Sequence, residues 1–211
     1  MIAILDYDAG NLHSVEKAFQ ALGEPCMITR RYRELSRADR IVVPGVGAYG
    51  TAMQQLKRYE LDRILREFAE SGKPMLGICL GLQLLFEGSE ESGGVEGLGI
   101  LEGRILRIPK TDGKKVPHVG WNSLTLRGNG RLFSEGVCTH GQPPYVYFVH
   151  SYYLQAKEAK IVKAVAEYGV QIHASIEKDQ IFACQFHPEK SGAVGLQLLK
   201  NFARIEGAAP A

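Results

Sequence analysis

The first half of the chain alternates short apolar runs with segments whose apolar residues recur at helical spacing. The runs predict buried strands at 2–5, 26–29, 41–43 and 74–78. Gly23 and Pro25 end the first helical segment, Pro44 and Gly45 follow the third strand, and a helix at 80–87 follows the fourth. A longer amphipathic segment, 53–68, is interrupted at Tyr59. Such alternation predicts an α/β fold, with a mostly parallel central sheet and helices on both faces.

The second half of the chain has a different pattern, in which strand-like runs follow one another without helices. These runs are 100–108, 121–126, 145–154, 161–168, 171–176 and 181–186. They predict an antiparallel extension of the sheet, closed by a final helix at 194–204. We expect a single domain at 1–205, an exposed loop at 139–144, and a frayed tail at 206–211.

Composition narrows the classes of protein that fit. The chain has 211 residues, 45% of them hydrophobic and 23% charged, as in ordinary globular domains. Its net charge is +2 and its longest basic clusters are residue pairs, so nothing indicates nucleic-acid binding. No apolar run reaches the ~20 residues of a membrane span. The N-terminus lacks the features of a signal peptide, so we expect a cytoplasmic protein.

Cysteine and histidine spacing argues against a metal or a disulfide framework. The cysteines are far apart and form no ligand-spaced pair: Cys26, Cys79, Cys138 and Cys184. Five of the histidines also form no ligand set: His13, His118, His140, His150 and His173. We therefore assign no metal and no cofactor, and we consider each cysteine as a free thiol.

Cys79 stands where a buried strand meets a helix, between Gly77 and Gly81. A strand-to-helix turn this tight needs residues without Cβ on either side, as in a nucleophile elbow. The free N–H groups of the helix favour a thiolate, and the amide of Leu80 would point at an oxyanion formed by attack on a carbonyl. The alternative is a structural cysteine in a glycine-rich turn.

His187 and Glu189 follow the last strand-like run, separated by Pro188. Residues two apart in an extended chain project to the same side, so the carboxylate would bind one imidazole nitrogen. The other nitrogen would then serve Cys79 as a general base. Taken alone, His187 also fits a hydrogen-bonded histidine at a strand end. The glycine-containing run 44–47 after the third strand fits either a second oxyanion donor or an ordinary turn.

These motifs together resemble the class I, triad-type glutamine amidotransferases. The runs that carry the resemblance are PGVG, GICLGLQLLFEGSEE and FHPEKSG, and they span nearly the whole chain. DYDAGNLHSV, KVPHVGWN, YFVHSYY and HPEKSG resemble, more narrowly, the glutaminase subunits of imidazole glycerol phosphate synthase. The resemblance implies a flavodoxin-like α/β domain. It also implies glutamine hydrolysis, with ammonia passed to a cyclase subunit in a heterodimer of histidine biosynthesis.

The resemblance also implies roles for particular residues. It implies a triad of Cys79, His187 and Glu189, and oxyanion donors at Val46 and Leu80. Residues expected around glutamine are Gly47, Gln83, Glu91, Ser151 and Tyr152. Residues expected to face the cyclase are Asn11, Trp121, Tyr147 and Lys190. The two aromatic residues also fit a core position, and the lysine fits a solvated surface.

Two departures from the family pattern and two rival functions remain open at this point. Asp8 stands where the family often has glycine, although Asp tolerates a left-handed turn. The 138–144 loop is longer than usual. One rival is the glutaminase subunit of pyridoxal phosphate synthase, which should lack GNLHSV and VPHVGWN. The other is a non-enzymatic binding module, which would need no histidine–carboxylate pair.

Overall fold

A computed structural model describes residues 1–111, 113–138 and 141–207. Within them the strands are β1 Ile2–Leu5, β2 Cys26–Thr29, β3 Arg40–Gly45, β4 Met75–Cys79, β5 Gly88–Ser89, β6 Gly103–Arg107, β7 His118–Ser123, β8 Thr125–Leu126, β9 Tyr145–His150, β10 Tyr152–Ala156, β11 Val162–Glu167, β12 Gln171–Lys178 and β13 Ile181–Cys184. The α-helices are α1 Leu12–Ala21, α2 Tyr32–Arg37, α3 Tyr49–Arg58, α4 Leu61–Glu70, α5 Leu80–Leu84 and α6 Gly192–Arg204. Short 3₁₀ turns lie at Glu90–Ser92, Arg131–Phe133, Ala159–Ile161 and Pro188–Lys190.

The central sheet of the described residues has the strand order β2-β1-β3-β4-β13-β12-β11-β8. Its strands run parallel from β2 to β13, and β12, β11 and β8 extend it in antiparallel fashion. The predicted α/β fold is therefore confirmed. Strands β1 and β4 are buried throughout, as expected for parallel strands covered on both faces.

The remaining strands of the second half do not extend this sheet. Strand β6 pairs with β10 and β5 in a three-stranded sheet, and β7 pairs with β9 in a two-stranded ribbon. The run 145–154 was predicted as one strand, but it changes sheets at Ser151. The fold therefore adds two small sheets beside the central one.

Several predicted boundaries are corrected. Pro44 and Gly45 do not end the third strand, because β3 continues through them in register with Ile78 and Cys79. The helix predicted at 80–87 ends at Leu84, and α2 was not predicted. The break predicted near Tyr59 is confirmed, since residue 60 has a left-handed conformation between α3 and α4.

Some expectations stay untested. The tail residues 208–211 and the loop residues 139 and 140 lie outside the described part of the chain. The division at 1–205 remains a prediction. Among the described residues, no helix is long and apolar enough to cross a membrane.

Candidate active site

Cys79 ends β4 in a conformation that few residues other than glycine adopt. Its φ is 55° and its ψ is −107°, and it is only 6% exposed. Such strain persists only where the surrounding structure fixes it. A Cβ on Gly81 would lie 1.8 Å from the carbonyl oxygen of Val43, and one on Gly77 would lie 2.8 Å from the Gly81 oxygen. The glycines therefore allow the sharp turn predicted for a nucleophile elbow.

His187 and Glu189 come after β13, the parallel neighbour of β4. Nδ1 of His187 and Oε1 of Glu189 are 2.8 Å apart, and both side chains are 2% exposed. Burial lowers the pKa of His187, but Cys79 and Glu189 outweigh burial and raise it to about 10. Nε2 of His187 has no hydrogen-bond partner among the described residues, and the Cys79 side chain is close enough to raise the pKa of the imidazole. This geometry fits an imidazole oriented by a carboxylate toward a thiol.

An open cleft of about 460 Å³ lies over Cys79. It is lined by Val46, Gly47, Cys79, Leu80, Gln83, Glu91, Pro117, Val149, His150, Ser151, Tyr152 and Lys190. The structure thus brings together on one surface all the residues predicted around glutamine and both predicted oxyanion positions. Lys190, predicted to face a partner, also lines the cleft.

Two of the predicted substrate contacts also hold the protein itself. Oε2 of Glu91 accepts a hydrogen bond of 2.8 Å from the amide of Tyr49, at the start of α3. Nε2 of Gln83 donates to the Tyr152 carbonyl and to Oε1 of Gln185, at 3.1 Å each. Glu91 and Gln83 therefore line the cleft and also hydrogen-bond to the protein around it.

The sequence analysis assigned no role in the site to Gln185, His118 or His150. The Gln185 side chain is fully buried, and its Nε2 lies 3.6 Å from the Cys79 sulphur. Nδ1 of His150 donates to the Tyr152 carbonyl at 2.8 Å, and Nε2 lies 3.1 Å from Nδ1 of His118. Burial lowers the pKa of His118 to about 4 and that of His150 to about 3, so both rings are neutral at physiological pH.

Two of the residues predicted to face a partner, Trp121 and Tyr147, pair across the β7–β9 ribbon. Trp121 on β7 and Tyr147 on β9 meet edge to face with centroids 6.2 Å apart, and Trp121 is 57% exposed. The indole is therefore not a core group. The same β7–β9 ribbon also exposes Val119, Tyr145 and Val149. Asn11 directly precedes α1.

Comparison with known proteins agrees with this geometry. The family model described as glutamine amidotransferase class-I matches residues 3–205, and the chain belongs to that family. The chain is 49% identical over 206 residues to the imidazole glycerol phosphate synthase subunit HisH of Thermosynechococcus vestitus, covering 97% of this chain and 96% of the relative. It is 48% identical over 205 residues to the HisH subunit of Methanothermobacter thermautotrophicus, covering 97% and 98%. Within the family, the chain therefore groups with the HisH subunits, as its motifs predicted.

The similar solved structures have low sequence identity to this chain and support its fold only. A crystal structure of a glutamine amidotransferase superposes with a TM-score of 0.73 at 20% identity, covering 97% of this chain and 99% of that one. PurLQS from Thermotoga maritima superposes with a TM-score of 0.70 at 18% identity, covering 95% and 96%. Both support the class I glutamine amidotransferase fold.

Proposed function

We propose that this chain is a glutaminase that works through a thioester on Cys79. The thiolate attacks the side-chain amide carbon of glutamine, and His187 protonates the departing ammonia. Water deprotonated by His187 then cleaves the γ-glutamyl thioester and releases glutamate. Glu189 holds the imidazole and stabilises its charged form. The observation that carries the proposal is the buried His187–Glu189 pair beside a strained cysteine at the floor of an open cleft.

The rest of the cleft is suited to bind glutamine. Glu91 offers a carboxylate for the substrate ammonium group, and Ser151 and Tyr152 also line the cleft. We assign the backbone amides of Val46 and Leu80 as oxyanion donors, because both residues border Cys79 in the cleft. No step in this scheme needs a metal or a cofactor.

We further propose that the ammonia goes to the cyclase subunit of an imidazole glycerol phosphate synthase. That subunit would use it to form imidazole glycerol phosphate and aminoimidazole carboxamide ribotide in histidine biosynthesis. The naming of the relatives as synthase subunits supports a partner. So does the exposed apolar face of the β7–β9 ribbon, since such patches mark interaction sites. We place the complex in the cytoplasm, where the free cysteines would stay reduced.

The chemistry is tested by glutamate release from glutamine with the cyclase subunit present. Cys79→Ala should lower the rate by about 10⁴-fold or more, because the nucleophile is lost. Cys26→Ala is the matched control, since Cys26 lies on β2 and does not line the cleft. Glutamine hydrolysis at the wild-type rate by Cys79→Ala would refute the thioester.

The partner is tested by titrating the cyclase subunit into the chain. Trp121→Ala should weaken binding by about tenfold or more, as expected for an exposed aromatic anchor. Tyr32→Ala, which removes an aromatic side chain that is 54% exposed on α2, should leave the affinity unchanged. Equal affinity in all three proteins would contradict the assignment of this ribbon to the interface.

The partner should also activate the site. The Val46 amide that we assign as an oxyanion donor belongs to the Gly45–Val46 peptide of the PGVG run, and the glycines on either side of Val46 let this peptide turn at low cost. We expect slow glutamate release by the chain alone and a large increase with the cyclase and its nucleotide ligand. Full turnover without the partner would exclude such gating.

A further inference from the structure

Gln185 connects the Cys79 sulphur to a chain of buried polar groups. Its Nε2 lies 3.6 Å from the sulphur, and its Oε1 accepts a hydrogen bond of 3.1 Å from Nε2 of Gln83. Nε2 of Gln83 also donates to the Tyr152 carbonyl, at 3.1 Å. The Gln185 side chain is fully buried and that of Gln83 is 5% exposed, so water does not replace these contacts.

The orientation of both side-chain amides follows from one backbone group. The carbonyl of Tyr152 can only accept hydrogen bonds, so it must face the NH₂ group of Gln83. The second hydrogen of that NH₂ group points at Gln185, which must therefore present its oxygen. The NH₂ group of Gln185 is then left to face Cys79. A flipped Gln185 would set two NH₂ groups against each other.

We propose that Gln185 is a positioning residue of the reaction centre, whose amide N–H donates to the Cys79 sulphur, favours its thiolate and keeps it in place beside His187. The catalytic role of Gln185 rests on the proposed glutaminase function. A thiolate accepts a hydrogen bond more strongly than a thiol does, so a fixed donor favours the charged form. The same donor would stabilise the sulphur again when the thioester is cleaved and the thiolate leaves.

The other groups near the sulphur do not duplicate this role. The Val149 carbonyl, 4.0 Å away, can only accept a hydrogen and therefore favours the thiol. Burial raises the pKa of Tyr7 and of Cys184, so both stay neutral at neutral pH. His187 supplies a positive charge beside the sulphur, and Gln185 supplies a neutral donor.

Alkylation of Cys79 by iodoacetamide tests the proposal without glutamine. The rate is followed across pH by mass spectrometry of the peptide that contains Cys79, so the other thiols do not interfere. Gln185→Met removes the donor at similar length, and Gln185→Glu replaces it with a carboxylate. Gln197→Met is the matched control, because Gln197 bonds Asn201 on α6, away from the cleft.

Both Gln185 variants should be alkylated about tenfold more slowly at neutral pH, with profiles moved to higher pH. The shift should be larger for Gln185→Glu, whose charge opposes the thiolate. Gln197→Met should match the wild type. Profiles of both Gln185 variants that coincide with the wild type would overturn the proposal.

Two further measurements keep the result interpretable. If circular dichroism shows that neither Gln185 variant folds, Gln83→Met decides, because it leaves Gln185 in place but free to turn. An upward shift in that variant supports the orientation argument, and an unchanged profile overturns it. With the cyclase present, Gln185→Met should lower kcat for glutamine more than it raises KM. A wild-type protein without glutaminase activity would refute the proposed function, while the alkylation profiles would still report on Gln185.

Discussion

The buried pair His118 and His150 should make the protein sensitive to mild acid. Burial, together with nearby Lys114, holds the pKa of His118 at about 4, and burial holds that of His150 at about 3, against an ordinary 6.5. Below pH 6.5 these two imidazoles bind protons in the unfolded chain but stay neutral in the folded chain. The stability conferred by the neutral pair is therefore complete above pH 6.5 and is lost as the pH falls toward the lowered values.

The size of this effect follows from the two pKa values. In this pH range a histidine is protonated in the unfolded chain and neutral in the folded one. Each pH unit of the range lowers the free energy of unfolding by about 1.4 kcal/mol per histidine. Between about pH 7.5 and pH 5 this interval is about 1.5 units for each ring, so each contributes about 2 kcal/mol of lost stability. His187 acts in the opposite sense, because its raised pKa gives stability that is complete below pH 6.5 and lost as the pH rises toward 10.

Urea unfolding followed by circular dichroism measures the effect. His118→Phe keeps an aromatic ring between Phe148 and Tyr168, whose centroids lie 4.7 and 3.8 Å from that of His118. Between about pH 7.5 and pH 5, the free energy of unfolding of this variant should fall by about 2 kcal/mol less than that of the wild type. Contributions shared by both proteins cancel in this comparison. His13→Phe, at a position in solvent, should lose as much as the wild type. Equal acid sensitivity in all three proteins would refute the reasoning.

Two further expectations concern backbone conformation. Gly81→Ala should lower the free energy of unfolding by about 3 kcal/mol or more, because its Cβ would lie 1.8 Å from a carbonyl oxygen of β3. Gly93→Ala, whose Cβ meets nothing within 4 Å, should be near neutral in the same urea titration. Asp8 has a φ of 61° and its carboxylate binds Arg30 and Tyr59, so Tm should fall slightly in Asp8→Asn and further in Asp8→Ala. Because Arg30 foremost, and then Tyr59, lower the pKa of Asp8, the difference between wild type and Asp8→Asn should shrink as the pH falls below 3.8. Identical Tm values for the two Asp8 variants would contradict the turn argument.

Most predicted strands of the first half agree closely with the structure because β1, β3 and β4 are almost entirely buried. Such strands read as continuous apolar runs, and β1 has the predicted limits. The edge strand β2 also has its predicted limits, although three of its four residues are only partly buried. Pro44 misled the prediction because proline usually ends a strand, yet its carbonyl still accepts a hydrogen bond of 2.7 Å from Tyr7. The change of sheet at Ser151 has no local signal, since it depends on which distant strands pair with β9 and β10.

The candidate site was predictable where its chemistry lies within one short motif. Cys79 between glycines, and His187 two residues from Glu189, carry that signal in the chain itself. The same two-residue spacing would also have put Gln185 on the side of His187. The pairing of His118 with His150 depends on the register of β7 with β9 and joins residues 32 positions apart. No local pattern encodes such a contact.

Trapping the covalent intermediate would test the proposed chemistry most directly. The chain is mixed with the cyclase subunit and glutamine labelled in its carbon skeleton, quenched in acid, and digested for mass spectrometry. We expect the γ-glutamyl label on the peptide that contains Cys79, and none there in Cys79→Ala. Steady release of glutamate with the label on another residue, or from Cys79→Ala, would contradict the thioester on Cys79.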